Sequence, residues 1–112
     1  MRIECPTLQE FFDCVRSEEK FFQNAIRYSV VRRPVGKDPT IQIKEEVILQ
    51  VTTVVVADPG EYLLQSAEHC GYDYNENPPE RNGSEKAEEL VKNLQQFAKV
   101  NRLKLLPGII HE

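Results

Sequence analysis

Apolar positions along the chain change period several times, and each change predicts an element. Leu8, Phe11, Phe12 and Val15 recur at i, i+3, i+4 and i+7, the spacing of one helical face. Just ahead, Thr7 and Glu10 fit a capping box, in which the Thr hydroxyl accepts one free amide while the Glu reaches back to another. A first helix is therefore expected behind Pro6, ending at Ser17 or one turn later through Phe21-Phe22.

From Ile26 the period falls to two. Ile26, Tyr28 and Val30 alternate with Arg27 and Ser29, as in a strand with one wetter face. Pro34 to Thr40 contains Gly36 and Pro39 and reads as a turn. A second, longer strand is expected from about Ile41 to Val56. Ile41, Ile43, Val47, Leu49, Val51 and Val55 share one of its faces; Gln42, Lys44, Glu46, Gln50 and Thr52 share the other. Glu45 interrupts the apolar face, which predicts a bulge or a sheet end near Lys44–Glu46. The pair makes a long β-hairpin over roughly Ile26 to Val56.

Asp58-Pro59-Gly60 admits two continuations. It can turn into a third strand over Glu61 to about Ser66, or open a helix through Cys70 with Asp58 as N-cap. The strand is the reading adopted. Gly71 to Gly83 has no apolar period, is rich in Pro, Asn and acids, and is expected to be a loop. Ser84 is expected to cap the last helix, with Ala87, Leu90, Val91, Leu94, Phe97 and Ala98 as its apolar stripe. Glu85, Glu88 and Glu89 suit its N-terminal dipole end and Asn101 its stop. Leu103, Leu105 and Leu106 lead into a final strand that Pro107-Gly108 breaks or bends. The order α-β-β-β-α-β defines an α+β fold: one domain over residues 1–112, its small antiparallel or mixed sheet packed by an N-terminal helix and a C-terminal amphipathic helix.

Composition then narrows the function. With 112 residues, 40% of them hydrophobic and 29% charged, the chain can bury one real core without metals or disulfides. No apolar run approaches the ~20 residues of a membrane span, and Met1 to Pro6 lacks the apolar stretch of a signal peptide. Cys5, Cys14 and Cys70 are an odd set, which predicts reduced, mostly buried thiols; together with the short apolar runs this leads to an expected cytoplasmic location and no membrane partner. A net charge of −4 argues against a general nucleic-acid binder. Even so, Lys20, Arg27, Arg32, Arg33, Lys37 and Lys44 cluster against Asp38 alone, so nucleic-acid binding through 20–44 stands as an alternative. Nine acids lie between Asp58 and Glu89, against Arg81 and Lys86, so the two segments are expected to face each other or to be simply solvated.

Candidate chemistry is sparse. Cys5, Cys14, His69, Cys70 and His111 show no chelating spacing, so neither metal nor cofactor is expected. His69 and Cys70 are neighbours whose side chains point apart, which removes a thiol–imidazole pair. The element order is that of the nuclease core that uses an Asp and a Glu-x-Lys pair and, without its last strand, of double-stranded-RNA-binding domains. Yet Leu63 stands where a lysine would be wanted after Asp58 and Glu61, and Ser84 to Glu89 is acidic where RNA would need cations. No catalytic residue is assigned and enzyme activity is not expected, with a metal-dependent nuclease or hydrolase of divergent carboxylate site as the alternative.

What remains is surface. Tyr72 and Tyr74 offer broad, low-entropy contact area in the expected loop. Arg32 and Arg33 at the hairpin end are suited to a carboxylate or phosphate. The expected function is a small interaction or regulatory protein that binds another macromolecule, a protein, through these residues. Edge pairing along the long second strand is the expected route to a homodimer.

Overall fold

The computed structural model describes residues 2–17, 25–37, 43–54, 63–74 and 81–107. Among these residues seven elements follow one another: β1 (Arg2–Cys5), α1 (Leu8–Ser17), β2 (Ala25–Lys37), β3 (Ile43–Val54), β4 (Leu63–Tyr74), α2 (Asn82–Val100) and β5 (Leu105–Pro107). The strands form one mixed sheet in the order β1-β4-β3-β2-β5. β3 runs antiparallel to both its neighbours, while β1 is parallel to β4 and β5 to β2. The α+β architecture is the one expected, enlarged by β1, which four residues without clear alternation did not announce.

Register assigns each side chain to a face. Ile26, Tyr28, Val30 and Arg32 of β2 stand beside Thr53, Val51, Leu49 and Val47 of β3. Ser66 and Glu68 of β4 continue those rows, and Cys5 lies beside Ser66. Val47, Leu49, Val51, Thr53, Ile26, Leu64, Ser66 and Cys5 are all buried, so this is the face that packs on the helices.

Both helices lie on that side. The predicted stripe of α1 is realised in full, with Leu8, Phe11, Phe12 and Val15 buried, each worth about 1.5–3 kcal/mol relative to exposure. Phe12 stacks on Phe97 of α2, ring centroids 4.1 Å apart and planes 13° from parallel, which ties the two helices together. From α2, Ala87, Leu94, Phe97 and Ala98 reach the same core.

Carboxylates of β4 meet the start of each helix. Glu68 accepts the Leu8 amide at 2.8 Å, alongside Thr7, whose hydroxyl accepts the Glu10 amide at 3.2 Å. Asp73 accepts the Ser84 amide at 3.0 Å, and the Ser84 hydroxyl also donates to it. An anion at a helix N-terminus meets unpaired amides and the positive end of the dipole together, so these two contacts fix where both helices begin.

Several expectations are corrected here. Gly71 to Tyr74 belong to β4, not to a loop, and α2 opens at Asn82, so Ser84 is a buried residue of its first turn rather than its cap. The cause is a bulge: Val47 pairs with Gly71 and Ile48 with His69, leaving Cys70 as the extra residue. Gly71 there takes a φ of 128°, a backbone that only glycine adopts freely. Gly83 packs against it so tightly that a Cβ on Gly83 would fall 2.8 Å from the Gly71 carbonyl carbon. The irregularity expected near Glu45 is present in the hairpin, between Pro34 and Lys37 opposite Glu45 and Ile43. Asp58 and Glu61 lie outside the described residues, as do Phe21, Phe22 and His111.

The extension of β4 also overturns the edge expected for dimer pairing. β3 is bonded on both sides, by β2 and by β4. Among the described residues the uncovered edges belong to β2, since β5 covers only Ile26 to Tyr28, and to β4, since β1 covers only Leu63 to Ser66. The Ile26 amide donates to Lys104 on the β2 edge, so by alternation Val30, Arg32 and Pro34 turn their backbone groups outward. Pro34 is tolerated in mid-strand because its missing N–H faces away from the hairpin ladder.

Candidate functional site

Alternation divides the four residues singled out from the sequence. Arg32 and Arg33 are consecutive on β2 and therefore point to opposite faces. Arg32 joins the helix side, where its Nη1 donates to Asp73 at 3.0 Å and to Ser84 Oγ at 2.6 Å. Arg33 is opposite Glu46, and Glu46 is opposite Tyr72, on the face that no described helix covers. Tyr74 is two residues beyond Tyr72 on the same strand. The structure thus brings Arg33, Tyr72 and Tyr74 to one face and turns Arg32 to the other, against Asp73 and Ser84. Neither arginine projects from a free hairpin end, because β4 reaches Tyr74 opposite Lys44 and flanks that part of the sheet.

The open face is mixed in character. Arg27, Ser29, Val31 and Arg33 come from β2; Glu46, Ile48, Gln50 and Thr52 from β3; Gln65, Ala67, His69 and Tyr72 from β4; Glu4 from β1. None is buried. At the β4 bulge His69 Nε2 meets Glu46 Oε1 at 3.1 Å, and the Tyr72 ring stands edge-on to the imidazole at 4.9 Å between centroids. These three residues form a polar and aromatic cluster beside Arg33.

A hollow of about 620 Å³ occupies the same face. It is lined by Glu4, Cys5 and Pro6, by Gln65, Ser66 and Ala67 of β4, by Gln50, Val51 and Thr52 of β3, and by Arg33 of β2. Glu4 and Arg33 stand on its two flanks, since β1 and β2 are separated by β4 and β3. Side-chain amides and a hydroxyl between them supply donors and acceptors together. Sequence reasoning missed Glu4, Gln50, Gln65 and Ala67, because the surface is assembled from four strands and only the register shows it. A second cleft, about 380 Å³, lies on the helix side between α2 and β2, over Tyr28, Val30 and Val91.

Two of the three thiols, Cys5 and Cys70, are buried. Burial pushes Cys70 up from its ordinary value, and it is buried on the side away from His69. Burial likewise pushes Cys5 up to about 12, with its hydrogen bond to Cys14 adding to the effect. A thiol so placed is mostly protonated near neutral pH and attacks slowly. His69 and Cys70 therefore stay apart as their adjacency predicts. Cys5 and Cys14 lie together, far from either in the sequence, and no three His, Cys, Asp or Glu side chains among the described residues gather as a metal site.

The basic segment is likewise divided. Arg27 and Arg33 share the open face with Glu4 and Glu46, while Arg32 pairs with Asp73 of the acidic segment. Side chains of Lys20, Lys37 and Lys44 lie outside those described. No described helix is long and apolar enough to cross a membrane. Comparison with protein-family models, with curated proteins and with solved structures found no match.

Proposed function

We propose that this protein is a binding module that docks a protein partner on the open face of its sheet. The observation that supports it is the one-sidedness of the fold: both helices pack on one face, and the other presents Arg33, Tyr72, Tyr74 and the hollow. Tyrosine and arginine contribute disproportionately where proteins meet. Gln50, Gln65 and Thr52 suit the donors and acceptors of a peptide backbone. Arg27 and Arg33 beside Glu4 and Glu46 give a mixed charge that fits a protein better than a polyanion, whose binding rests on accumulated cations.

Affinity capture from the source cells with four forms of the chain tests this reading. Wild type and Glu89→Lys, altered at an exposed position of α2, should retain one defined protein. Ala67→Arg, which fills the hollow, and the double variant Tyr72→Ala/Tyr74→Ala should lose it while remaining folded. Retention by both open-face variants, or no specific capture by wild type, would overturn the proposal.

A further inference from the structure

Cys5 and Cys14 are nine positions apart in sequence, one at the end of β1 and the other on α1. Their sulfurs lie 3.8 Å apart, in contact but not bonded. Both are free thiols; Cys5 is buried and Cys14 is partly open to solvent. Only Pro6, Thr7 and the first turns of α1 lie between them. A disulfide needs the sulfurs at about 2.05 Å, a closure within reach of side-chain rotation and small shifts at the strand end. Cys70 is on β4 and donates its S–H to the Glu68 carbonyl, so it is not a third member of the pair.

We infer that Cys5 and Cys14 are a thiol-oxidation site, which a small-molecule disulfide such as oxidised glutathione converts to an intramolecular disulfide stapling β1 to α1. The exposures fix the order of events. Cys14, the accessible sulfur, attacks as thiolate; the S–S bond of oxidised glutathione breaks, a mixed disulfide forms on Cys14, and one glutathione leaves as thiolate. Cys5 then loses its proton and attacks the Cys14 sulfur, forming the internal disulfide and releasing the second glutathione. Two protein thiols lose two electrons, one glutathione disulfide gains them, and the two protons end on two glutathione thiols. The buried, high-pKa thiol is the resolving one, so the second step is the slower. The staple would fix the strand that carries Glu4, at one side of the hollow, and it stands independently of whether a protein docks there.

The test incubates the full chain with excess oxidised glutathione and reads intact mass, free thiols by alkylation, and linked peptides after proteolysis. Wild type should lose the mass of two hydrogens, keep one alkylatable thiol at Cys70, and yield a peptide linked through Cys5 and Cys14. Its Tm should rise by a few degrees, because the closed loop restricts the unfolded chain. Cys14→Ser should give neither product, and Cys70→Ser should behave as wild type. A glutathione adduct persisting on Cys14, a link through Cys70, a crosslinked dimer or an unreacted chain would each overturn the inference. Because wild type carries the primary readout, a variant that fails to fold does not remove the test.

Discussion

Arg32 reaches across β3 to Asp73: its Nη1 donates at 3.0 Å to Oδ2 of the carboxylate, over the buried side chain of Val47. Ser84 completes the contact from the first turn of α2, giving its amide and its hydroxyl to the same Asp73. One carboxylate thus joins β2, β4 and the start of the long helix.

Replacing Asp73 should therefore cost more than an ordinary surface charge. Its side chain is only 13% exposed, and Asp73→Ala leaves the Ser84 amide and hydroxyl without their acceptor, so a loss of about 1–3 kcal/mol is expected in urea unfolding. The arginine contributes less. Arg32 is 41% exposed, so solvent screening should hold the Arg32–Asp73 coupling in a double-mutant cycle to about 1 kcal/mol or less.

Acid should weaken the same junction. Burial alone would raise the Asp73 carboxyl, but the Ser84 hydrogen bonds, with Arg32 and Arg81 nearby, outweigh it and hold the pKa below its ordinary 3.8. A carboxyl depressed in the folded state contributes stability that is complete above its unfolded pKa and is lost as pH falls through the folded value. Unfolding of wild type and Asp73→Asn, measured from about pH 6 down to pH 2.5, should show their difference shrinking below about pH 4. A difference that widens on acidification would contradict the assignment.

The seat of α2 on the β4 bulge predicts a second sensitive position. A methyl at Gly83 would meet the Gly71 carbonyl carbon at 2.8 Å and Val47 Cγ2 at 2.9 Å. Because the nearest obstacle is backbone, the helix start must lift. Gly83→Ala should then destabilise by about 1–3 kcal/mol despite the higher helix propensity of alanine. Thermal unfolding of this one variant distinguishes a tight seat from a loose one.

The other end of α2 predicts a gain. Leu103 N–H bonds to Ala98 and Arg102 N–H to Lys99, at 2.8 and 3.3 Å, with Arg102 at a φ of 55°. This is a Schellman ending, whose left-handed position favours glycine. Arg102→Gly should stabilise by about 0.5–1 kcal/mol in denaturant unfolding. A loss instead would mean that the arginine side chain contributes more than its backbone costs.

Ser66 offers a test of the core facing the helices. Its hydroxyl is buried and makes no hydrogen bond among the described residues. Ser66→Ala should be neutral or stabilise by up to about 1 kcal/mol, since it removes a polar group whose partner in water was given up on folding. Destabilisation beyond that would show that the hydroxyl has a partner.

How far the fold could be read from sequence follows from where each instruction resides. α1 was legible because its stripe and Thr7 are local, and so was the hairpin, whose alternation runs through Ile26 to Val30 and Val47 to Val51. The Glu45 interruption was legible for the same reason. The beginning of α2 was not: its acceptor is Asp73, eleven positions from Ser84, so the local signal at Ser84 pointed three residues past the actual N-cap, Arg81. β4 was cut short because Gly71 at a bulge resembles Gly in a loop. The candidate site was less legible. Tyr72 and Tyr74 read as loop residues and Arg32 with Arg33 as a pair at the hairpin end; strand parity separates the two arginines, and the register that puts Arg33 on the face of Tyr72 and Tyr74 comes from a strand order no local pattern encodes.

The claim that the open sheet face is the docking surface is tested most directly by hydroxyl-radical footprinting of the protein alone and with its captured partner. Protection is expected at Val31, Ile48, Tyr72 and Tyr74, while Leu90, Val91 and Val100 on α2 keep their reactivity. Protection confined to α2, with the open-face side chains unchanged, would contradict the account.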